Sequence, residues 1–259
     1  MIASARSLYI LKRLKEVGIL DYKSVANELN VSEATVRRDF EMLESQGKLR
    51  RVRSGAVRSD DPDGEFDAEL SIRAKNTLNT REKQIVAAAA AKVVQPGESI
   101  FLDAGTSISP LGFLLLSMPI RIVTYNNYIL QRVSPKSRAE VFALGGQLKP
   151  ADQMIVGAIA ERTLENFGFD RAFIGCMGLN VENNMVYATD MECMRLKEIA
   201  IKNAKSHYLL ADCSKLSKIG LFRVAGLDDF DQIYLNGPKP NGKFESNMIF
   251  VGAEDAERS

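Results

Sequence analysis

The 259-residue sequence predicts an α/β fold with a mainly parallel, Rossmann-like sheet, preceded by a small helical domain. From residue 99 onwards, short apolar runs alternate with segments of helical periodicity, which is typical of parallel strands joined by right-handed crossovers. Before residue 59, apolar residues recur mostly at helical spacing. An acidic, turn-rich segment at 59–68 separates the two parts. We therefore expect a domain of residues 1–58, a linker of residues 59–74 and an α/β domain of residues 75–259.

Composition excludes several classes of protein. The longest apolar stretch, near residues 111–116, is too short to cross a bilayer, and the N-terminus lacks a signal-peptide core. Cys176, Cys193 and Cys213 are an odd number without CxxC spacing, which favours reduced thiols in a cytoplasmic protein. His207 is the only histidine, which excludes most zinc sites and any catalytic pair of histidines. We expect no metal, no cofactor, no membrane association and no catalytic residue.

Charge is distributed unevenly along the chain. Residues 1–60 carry twelve Lys or Arg against eight Asp or Glu, whereas the remaining residues carry 22 against 25. A basic N-terminal part on a mildly acidic body is weak evidence for a polyanionic partner at the N-terminus.

Three helices are expected in the first 58 residues. Apolar residues at helical spacing predict a helix over residues 4–17 that ends at Gly18. Asp21 is expected to cap a second helix, and Ser32 is expected to cap a third helix that ends at Gly47. The third helix has an apolar stripe that would face the core, formed by Val36, Phe40 and Leu43.

The second and third helices, joined by a tight turn, predict a helix-turn-helix whose second helix enters the major groove of DNA. Arg37 and Arg38 can reach guanine edges or phosphates, and Ser32 and Thr35 can bind backbone oxygens. The alternative is a three-helix bundle with a solvated charged face.

The segment KLRRVRSGAV at 48–57 predicts a β-hairpin of the kind that forms the wing of a winged helix. Its apolar positions alternate, and a turn is expected at Gly55. Arg50, Arg51 and Arg53 would then lie against DNA phosphates.

The string VSEATVRRDFEMLESQGKLRRVRSGA, residues 31–56, strongly resembles the N-terminal head of the DeoR family of bacterial transcription regulators. The resemblance implies sequence-specific binding to double-stranded operator DNA. Since paired operator half-sites need two heads, we expect a homo-oligomer, either a dimer or a tetramer. Arg53 and Ser54 stand where the family usually has His-Gly, so the wing is expected to contact DNA differently from the family habit.

The α/β part is expected to begin with a helix capped by Thr80 and broken at Pro96-Gly97. Six strands are then expected, each followed by a helix or a loop, and residues 152–167 are expected to form one of these helices. The segment NMIFVG at 247–252 is a candidate for a further short strand.

The expected strands end in polar or glycine-rich segments, and open parallel sheets bind ligands at the carboxyl ends of their strands. FLDAGTS at 101–107 leads into a helix and resembles a phosphate cradle of backbone N–H groups and hydroxyls. Turn chemistry alone is the alternative, because strand-to-helix turns need glycine anyway. The candidate site residues are Asp103, Gly105, Thr106, Ser107, Thr124, Asn126, Gly145, Gly146, Gly178, Asp212 and Lys215, with Lys197 from a helix.

The residue types at these positions indicate the class of ligand. Aspartates and asparagines suit vicinal hydroxyls, whereas a cradle with Lys197 and Lys215 suits a phosphate. For either lysine, plain surface solvation is the alternative. The predicted effector is a phosphorylated sugar or polyol.

The body also resembles the DeoR sensor domain, in segments that include FLDAGTS, LGGQL and ADCSK, and that domain is similar to ribose-5-phosphate isomerase. In the isomerases a catalytic glutamate precedes a lysine. If Lys197 is that lysine, Leu196 takes the place of the glutamate and cannot move a proton, although Glu192 and Glu198 lie within one turn. His207 falls in an apolar strand pattern.

We therefore predict a ligand-controlled transcription regulator, and the resemblance implies a repressor of a carbohydrate-utilisation operon. Two alternatives stay open at this point. One is an enzyme similar to sugar-phosphate isomerases or deaminases that carries an accessory DNA-binding head. The other is a ligand-independent architectural DNA binder.

Overall fold

The computed structural model describes residues 3–17, 19–52, 55–58, 78–216, 218–240 and 244–252. The chain divides into two compact units, residues 1–78 and 79–259. The predicted linker of residues 59–74 and the candidate DNA contact Arg53 lie outside the described residues. Within the described ranges, no helix has the length and apolar character needed to span a bilayer.

The first unit is a winged helix. Its three strands form an antiparallel sheet in the order β1-β3-β2. The expected helices and hairpin are confirmed, and a short strand between the first two helices, which the sequence did not indicate, completes the sheet. The elements are α1 (Ala3–Val17), β1 (Ile19–Asp21), α2 (Tyr22–Leu29), α3 (Glu33–Ser45), β2 (Leu49–Val52) and β3 (Gly55–Arg58).

Side-chain caps fix α2 and α3 as the sequence predicted. The carboxylate of Asp21 accepts a hydrogen bond from the backbone N–H of Ser24 at 2.9 Å, and Ser32 Oγ accepts one from Thr35 N at 3.2 Å. Asn30, at φ 51°, adopts the left-handed conformation that turns the chain between the two helices. Because both caps flank this turn, local interactions largely set the geometry of the helix-turn-helix.

The helices of this unit meet in one apolar core. Its fully buried members include Ile10, Val25, Val36 and Phe40, one or more from each helix. At the edge of the core, Arg6 of α1 binds Asp39 of α3 through two hydrogen bonds of 2.7 and 3.0 Å.

Gly55 begins β3, where this strand passes close to β1. A Cβ atom at this position would overlap the carbonyl oxygen of Leu20 and would lie 2.8 Å from the Cα of Asp21. Only glycine leaves room for this approach. The hairpin closes at the Val52–Gly55 pair, which agrees with the predicted turn at Gly55, and the backbone of Gly55 also pairs with Asp21 of β1.

The second unit is built on a seven-stranded parallel sheet in the order β15-β14-β12-β9-β4-β5-β6. The expectation of a mainly parallel α/β sheet is confirmed, and the segment NMIFVG contributes the edge strand β15. The strands are β4 (Ser99–Leu102), β5 (Arg121–Thr124), β6 (Glu140–Ala143), β9 (Phe169–Gly175), β12 (Ala204–Ala211), β14 (Gln232–Asn236) and β15 (Met248–Val251).

Helices cover both faces of the sheet, and apolar residues alternate between two core layers. The helices are α4 (Thr80–Ala91), α5 (Ile108–Leu115), α6 (Asn127–Leu130), α7 (Ala158–Leu164) and α8 (Met191–Lys202). In β4, Ile100 and Leu102 belong to the core layer that contains residues of α4 and α5, whereas Phe101 belongs to the layer that contains residues of α7 and α8.

Two smaller antiparallel sheets complete the second unit. One is the hairpin of β7 (Gln147–Lys149) and β8 (Met154–Val156). The other has the order β10-β11-β13. Its strands are β10 (Gly178–Asn180), β11 (Met185–Ala188) and β13 (Phe222–Ala225).

Two local predictions for the second unit are wrong. Residues 152–167 do not form one helix, because Met154–Val156 pairs in the hairpin and Gly157, at φ 99°, separates this strand from α7. Thr80 does not cap α4 but is its first residue. The cap position belongs to Asn79, at φ 51°, whose side chain makes a long-range contact instead of a capping bond.

The order of the strands places a switch point between β4 and β9. From β4 the chain builds through β5 to β6 at one edge, and from β9 it builds through β12 and β14 to β15 at the other. Helices that follow the two central strands lie on opposite faces, which leaves a crevice outside their carboxyl ends.

The close approach at Gly55 predicts that Gly55→Ala displaces β3 from β1. We expect a loss of about 2 kcal/mol in the unfolding free energy of the first unit. Hydrogen exchange at the amides of β1, β2 and β3, together with thermal unfolding, measures the effect. Gly47→Asn is the matched control, since a Cβ at Gly47 meets nothing within 4 Å and asparagine tolerates its φ of 66°. Native exchange protection in Gly55→Ala would contradict the packing described above.

Candidate functional site

The carboxylate of Asp103 lies at the switch point and is fully buried. One oxygen accepts a hydrogen bond from the hydroxyl of Tyr125. The other accepts from the backbone N–H of Gly175 at 2.8 Å and from the ammonium of Lys197. Lys197, only 6% exposed, also donates to the carbonyl oxygen of Gly175 at 2.9 Å. Each charge of this buried pair is thus neutralised and hydrogen-bonded within the protein.

Tyr125 contributes to this network as a hydrogen-bond donor. Burial raises the pKa of its hydroxyl well above the usual value, and the negative charge of Asp103 raises it further. The hydroxyl therefore stays protonated and can donate to the carboxylate. Its ring stacks on Phe101 with a centroid distance of 6.1 Å, which fixes its position.

The candidate ligands Thr124 and Asn126 are fully buried, and their hydrogen bonds join the ends of β4 and β5. Thr124 Oγ1 donates to the carbonyl oxygen of Leu102 at 2.6 Å. Asn126 Nδ2 donates to the carbonyl oxygen of Asp103 at 3.2 Å and to Ser109 Oγ at 3.0 Å, and Asn126 Oδ1 caps α6. These polar groups are used to build the crevice.

The buried polar network described above forms the floor of the crevice. Residues 105–107, between β4 and α5, differ from this floor because their hydrogen-bond donors make no hydrogen bond within the protein. Among the described residues, neither the backbone N–H groups of these three residues nor the hydroxyls of Thr106 and Ser107 have a hydrogen-bond partner. Thr106 is 8% exposed and Ser107 is 6% exposed. Neither hydroxyl is among the side-chain atoms that are buried without a partner, so both reach the solvent of the crevice and can donate to the oxygen atoms of a ligand. The N-terminus of α5 adds a partial positive charge.

Gly105 allows the loop after β4 to approach the end of β9. A Cβ on Gly105 would lie 3.3 Å from the Cα of Gly175, and a Cβ on Gly175 would lie 3.1 Å from Asp103 Oδ2. Both glycines therefore keep the cradle residues 105–107 next to the buried ion pair.

Asp212, at the end of β12, is also buried. Its Oδ1 accepts hydrogen bonds from Asn79 Nδ2 at 2.9 Å and from Ser214 N at 3.0 Å. Among the described residues, its Oδ2 has no such partner, and the ammonium of Lys215 forms no ion pair. The contact of Asn79 with Asp212 was not expected from the sequence, because the two residues lie 133 positions apart.

The charges of four candidate residues act on the thiol of Cys176. The positive charges of Lys215 and Lys197 lower the pKa of this thiol, and the negative charges of Asp212 and Asp103 raise it. Burial is the largest effect and raises the pKa to about 12. The thiol therefore stays protonated and is a poor nucleophile, although two lysines lie near it.

The contacts of Gly145, Gly146 and Gly178 are packing contacts. A Cβ on Gly146 would lie 2.5 Å from the carbonyl oxygen of Val156, and one on Gly178 would overlap that of Lys218. Gly145 and Gly146 are exposed. Backbone packing thus accounts for Gly146 and Gly178, whereas a Cβ on Gly145 would make only an ordinary contact with the side chain of Ile159 at 3.6 Å, and none of these contacts joins the three glycines to the cradle.

The groups considered for acid–base chemistry are committed elsewhere. Glu192 forms an ion pair with Lys149 of β7, and Glu198 lies 3.7 Å from Arg195. Leu196 is fully buried. Both ring nitrogens of the half-buried His207 contact backbone carbonyl oxygens. Among the described residues, no cluster of three or more His, Cys, Asp or Glu side chains could hold a metal ion.

In the first unit, the arginines predicted to contact DNA fall into two groups. Arg37, Arg38 and Arg50 are exposed and have no carboxylate partner among the described residues. Arg51 binds Glu44 and Glu41 of α3, each at 2.6 Å.

The ion pairs of Arg51 attach the wing to the helix that would enter DNA. The backbone N–H of Arg51 donates to Glu44 at 2.7 Å, and this bond, together with those from the guanidinium, lowers the pKa of Glu44.

At the N-terminus of the same helix, Ser32 Oγ and Thr35 Oγ1 lie 2.9 Å apart. Thr35 is half-buried, whereas Ser32 is exposed.

The buried ion pair predicts a specific response to mutation. Lys197→Met removes the ammonium and leaves the Asp103 carboxylate buried without its counter-charge, so the unfolding free energy of the second unit should fall by about 3–5 kcal/mol. The double variant Asp103→Asn/Lys197→Met removes both charges and should recover a large part of that loss. Urea unfolding measures both changes. An equal loss in the single and double variants would show that the pairing of charge is not what matters.

Comparison with known proteins covers both units. Residues 6–61 match the DeoR-like helix-turn-helix domain, and residues 78–236 match the DeoR C terminal sensor domain. The uncharacterized HTH-type transcriptional regulator FruR of Bacillus subtilis (strain 168) is 30% identical over 232 residues, which cover 88% of this chain and 89% of that protein. The lactose phosphotransferase system repressor of Streptococcus mutans serotype c is 31% identical, with 81% and 82% coverage. The putative aga operon transcriptional repressor of Escherichia coli O157:H7 is 28% identical, with 96% and 94% coverage.

Solved structures similar to this chain include ribose 5-phosphate isomerase A from Methanocaldococcus jannaschii, with a TM-score of 0.41 and 18% identity. That match covers 54% of this chain and 56% of the isomerase chain, so the chain spans about half the length of the solved structure. Both family matches, one on each unit, show that the chain belongs to the DeoR family of transcription regulators.

Proposed function

We propose that this regulator binds double-stranded operator DNA with an affinity controlled by a phosphorylated sugar or polyol in the switch-point crevice. The observation that carries the proposal is the set of unused donors at residues 105–107. In this proposal the regulator acts in the cytoplasm as a repressor of a carbohydrate-utilisation operon, and an intermediate of that pathway relieves repression. Two relatives are named as repressors, one of an aga operon and one of a lactose phosphotransferase system, and they support repression as the mode of regulation.

The phosphate group of the effector binds at the cradle. Three backbone N–H groups, the hydroxyls of Thr106 and Ser107 and the positive end of α5 provide donors for its oxygens. Lys215 supplies the positive charge, because its ammonium has no ion-pair partner among the described residues. The free oxygen of Asp212 accepts a hydrogen bond from a hydroxyl of the sugar or polyol.

Asp103 and Lys197 form the floor of the site. Their charges are already matched, so breaking the pair to contact a ligand would cost the hydrogen bonds that each makes within the protein. They support the ligand by holding the loops after β4 and β9 in place. Thr124 and Asn126 support the loop after β5 in the same way.

Detection of the effector is supported better than its conversion. An isomerase needs a free acid or base beside the carbon atoms that exchange a proton. Glu192 is ion-paired, Leu196 cannot ionise and the thiol of Cys176 has a pKa of about 12, while the free oxygen of Asp212 accepts a hydrogen bond from a hydroxyl of the effector. Turnover of any sugar phosphate by the purified protein would favour the enzyme alternative instead.

Control of DNA binding follows from differential affinity. A homo-oligomer, dimer or tetramer, places two winged helices on paired half-sites. An effector that binds one arrangement of the oligomer more tightly shifts the population toward it, and can change DNA affinity only by that difference, about 1–3 kcal/mol.

The cradle predicts which substitutions remove effector binding. Thr106→Val combined with Ser107→Ala deletes two hydroxyls, and Lys215→Gln deletes the charge. Each lost hydrogen bond to the phosphate should cost about 1.5–3 kcal/mol of binding free energy. The shift in melting temperature with a panel of sugar phosphates measures this, since a ligand of the native state stabilises it. Ser117→Ala and Lys136→Gln, on exposed sites lining a different cavity, are the controls.

Two outcomes of that screen would count against the site. The wild-type protein would show no shift with any phosphorylated sugar or polyol. Alternatively, the cradle variants would respond as strongly as the wild type.

The exposed arginines of the first unit predict two different effects on DNA binding. Arg37→Ala should weaken binding to the operator by about 1–3 kcal/mol and relax specificity at one base pair. Arg50→Ala should weaken binding to all sequences alike and reduce the salt slope by about 0.9, because it contacts a phosphate. Fluorescence anisotropy at several salt concentrations separates the two. Arg138→Ala, an exposed position in the second unit, should leave affinity unchanged.

A further inference from the structure

Arg37 of α3 does not extend freely into solvent, although it is exposed. Its guanidinium carbon, Cζ, lies 4.3 Å from the ring centroid of Tyr22. Tyr22 is the first residue of α2, so this contact joins the two helices of the helix-turn-helix on the side where α3 begins. Such a distance is within the range of a cation–π interaction.

The ring of Tyr22 is held firmly. Tyr22 is 5% exposed, and its ring packs on Phe40 of α3 with a centroid distance of 5.2 Å. The capping bond from Ser24 N to Asp21 fixes the start of α2 immediately before it. The aromatic face beneath Arg37 is therefore part of the rigid core of the unit.

The charge of Arg37 is not committed to a carboxylate. Other arginines of the unit bind acidic side chains, as Arg6 binds Asp39 and Arg51 binds Glu44. Arg37 has no such partner among the described residues. The guanidinium of Arg37 donates no hydrogen bond to a described residue, so its N–H donors are available while its central carbon lies over the ring of Tyr22.

We propose that Tyr22 is a positioning residue that pre-organises Arg37 for a bidentate contact with guanine in the major groove. An unrestrained arginine would lose its rotamer freedom on binding, whereas the stacked side chain has lost part of it already. The inference rests on the proposed role of Arg37 as a base-reading residue. Arg38 provides a comparison, since no aromatic ring lies under its guanidinium in the described part of the chain.

A double-mutant cycle on the full-length protein tests the proposal. The DNA probe is the tightest-binding duplex selected by the wild-type protein from a random pool. Tyr22→Leu should weaken binding to this duplex about fivefold, and should leave binding to a scrambled duplex unchanged. In the Arg37→Ala background the same substitution should have an effect of less than about twofold. Tyr22→Phe keeps the ring and should bind like the wild type.

A second variant avoids any loss of folding caused by changing Tyr22. Arg37→Lys leaves the core intact and keeps the positive charge, but it removes the flat face that stacks on the ring and the fork that binds guanine. We expect Arg37→Lys to lose affinity for the selected duplex, with no further loss when Tyr22→Leu is added.

Three results would contradict the proposed role of Tyr22, each in a different way. An equal effect of Tyr22→Leu with and without Arg37 would assign Tyr22 a purely structural role. A loss in Tyr22→Phe as large as in Tyr22→Leu would identify the hydroxyl, and not the ring, as the working group. Wild-type affinity in Arg37→Ala would refute the base-reading role of Arg37 and the inference with it, while DNA binding by the protein would still stand.

Discussion

The buried carboxylate of Asp103 holds together the carboxyl ends of three neighbouring strands. It follows β4, accepts hydrogen bonds from Tyr125 after β5 and from Gly175 at the end of β9, and pairs with Lys197 of α8. Burial of a charge is costly unless every partner is in place, so this network tolerates few alternative arrangements. The crevice at the switch point has its shape because these four residues meet there.

This network divides the polar groups of the strand ends into two kinds. Those of the floor are satisfied within the protein, and they set the distance between the loops after β4 and β9. Those of residues 105–107 point to no partner among the described residues, next to a floor that cannot easily move. A rigid floor beside donors that no described protein group uses favours selective binding of an anion, since little reorganisation opposes it.

Features that depend on neighbouring residues could be predicted from the sequence, whereas contacts between distant residues could not. Ser32 and Asp21 were identifiable as caps because a cap depends on residues three positions away. The strands of the sheet were identifiable from their apolar runs. Lys197, however, binds a carboxylate 94 positions away, and no local pattern distinguishes it from a solvated lysine or from a ligand-binding one.

Arg50 and Arg51 show the same limit in the wing. Both precede Val52 in a predicted hairpin, yet only Arg51 meets the carboxylates of Glu41 and Glu44. Which of two adjacent strand residues faces α3 depends on the register and twist of the sheet, in which Arg51 pairs with Ala56 of β3. The hairpin of β7 and β8 was missed for a related reason, because its apolar residues run directly into those of α7.

The central claim is that occupancy of the crevice changes affinity for DNA. The most direct measurement is the dissociation constant for the selected duplex, at fixed salt, as a function of the sugar phosphate that stabilises the protein. The account predicts a change of about 5- to 150-fold for the wild type, and none for Thr106→Val/Ser107→Ala, with equal affinities in the absence of ligand. A wild-type dissociation constant that stays constant while the crevice is saturated would contradict it.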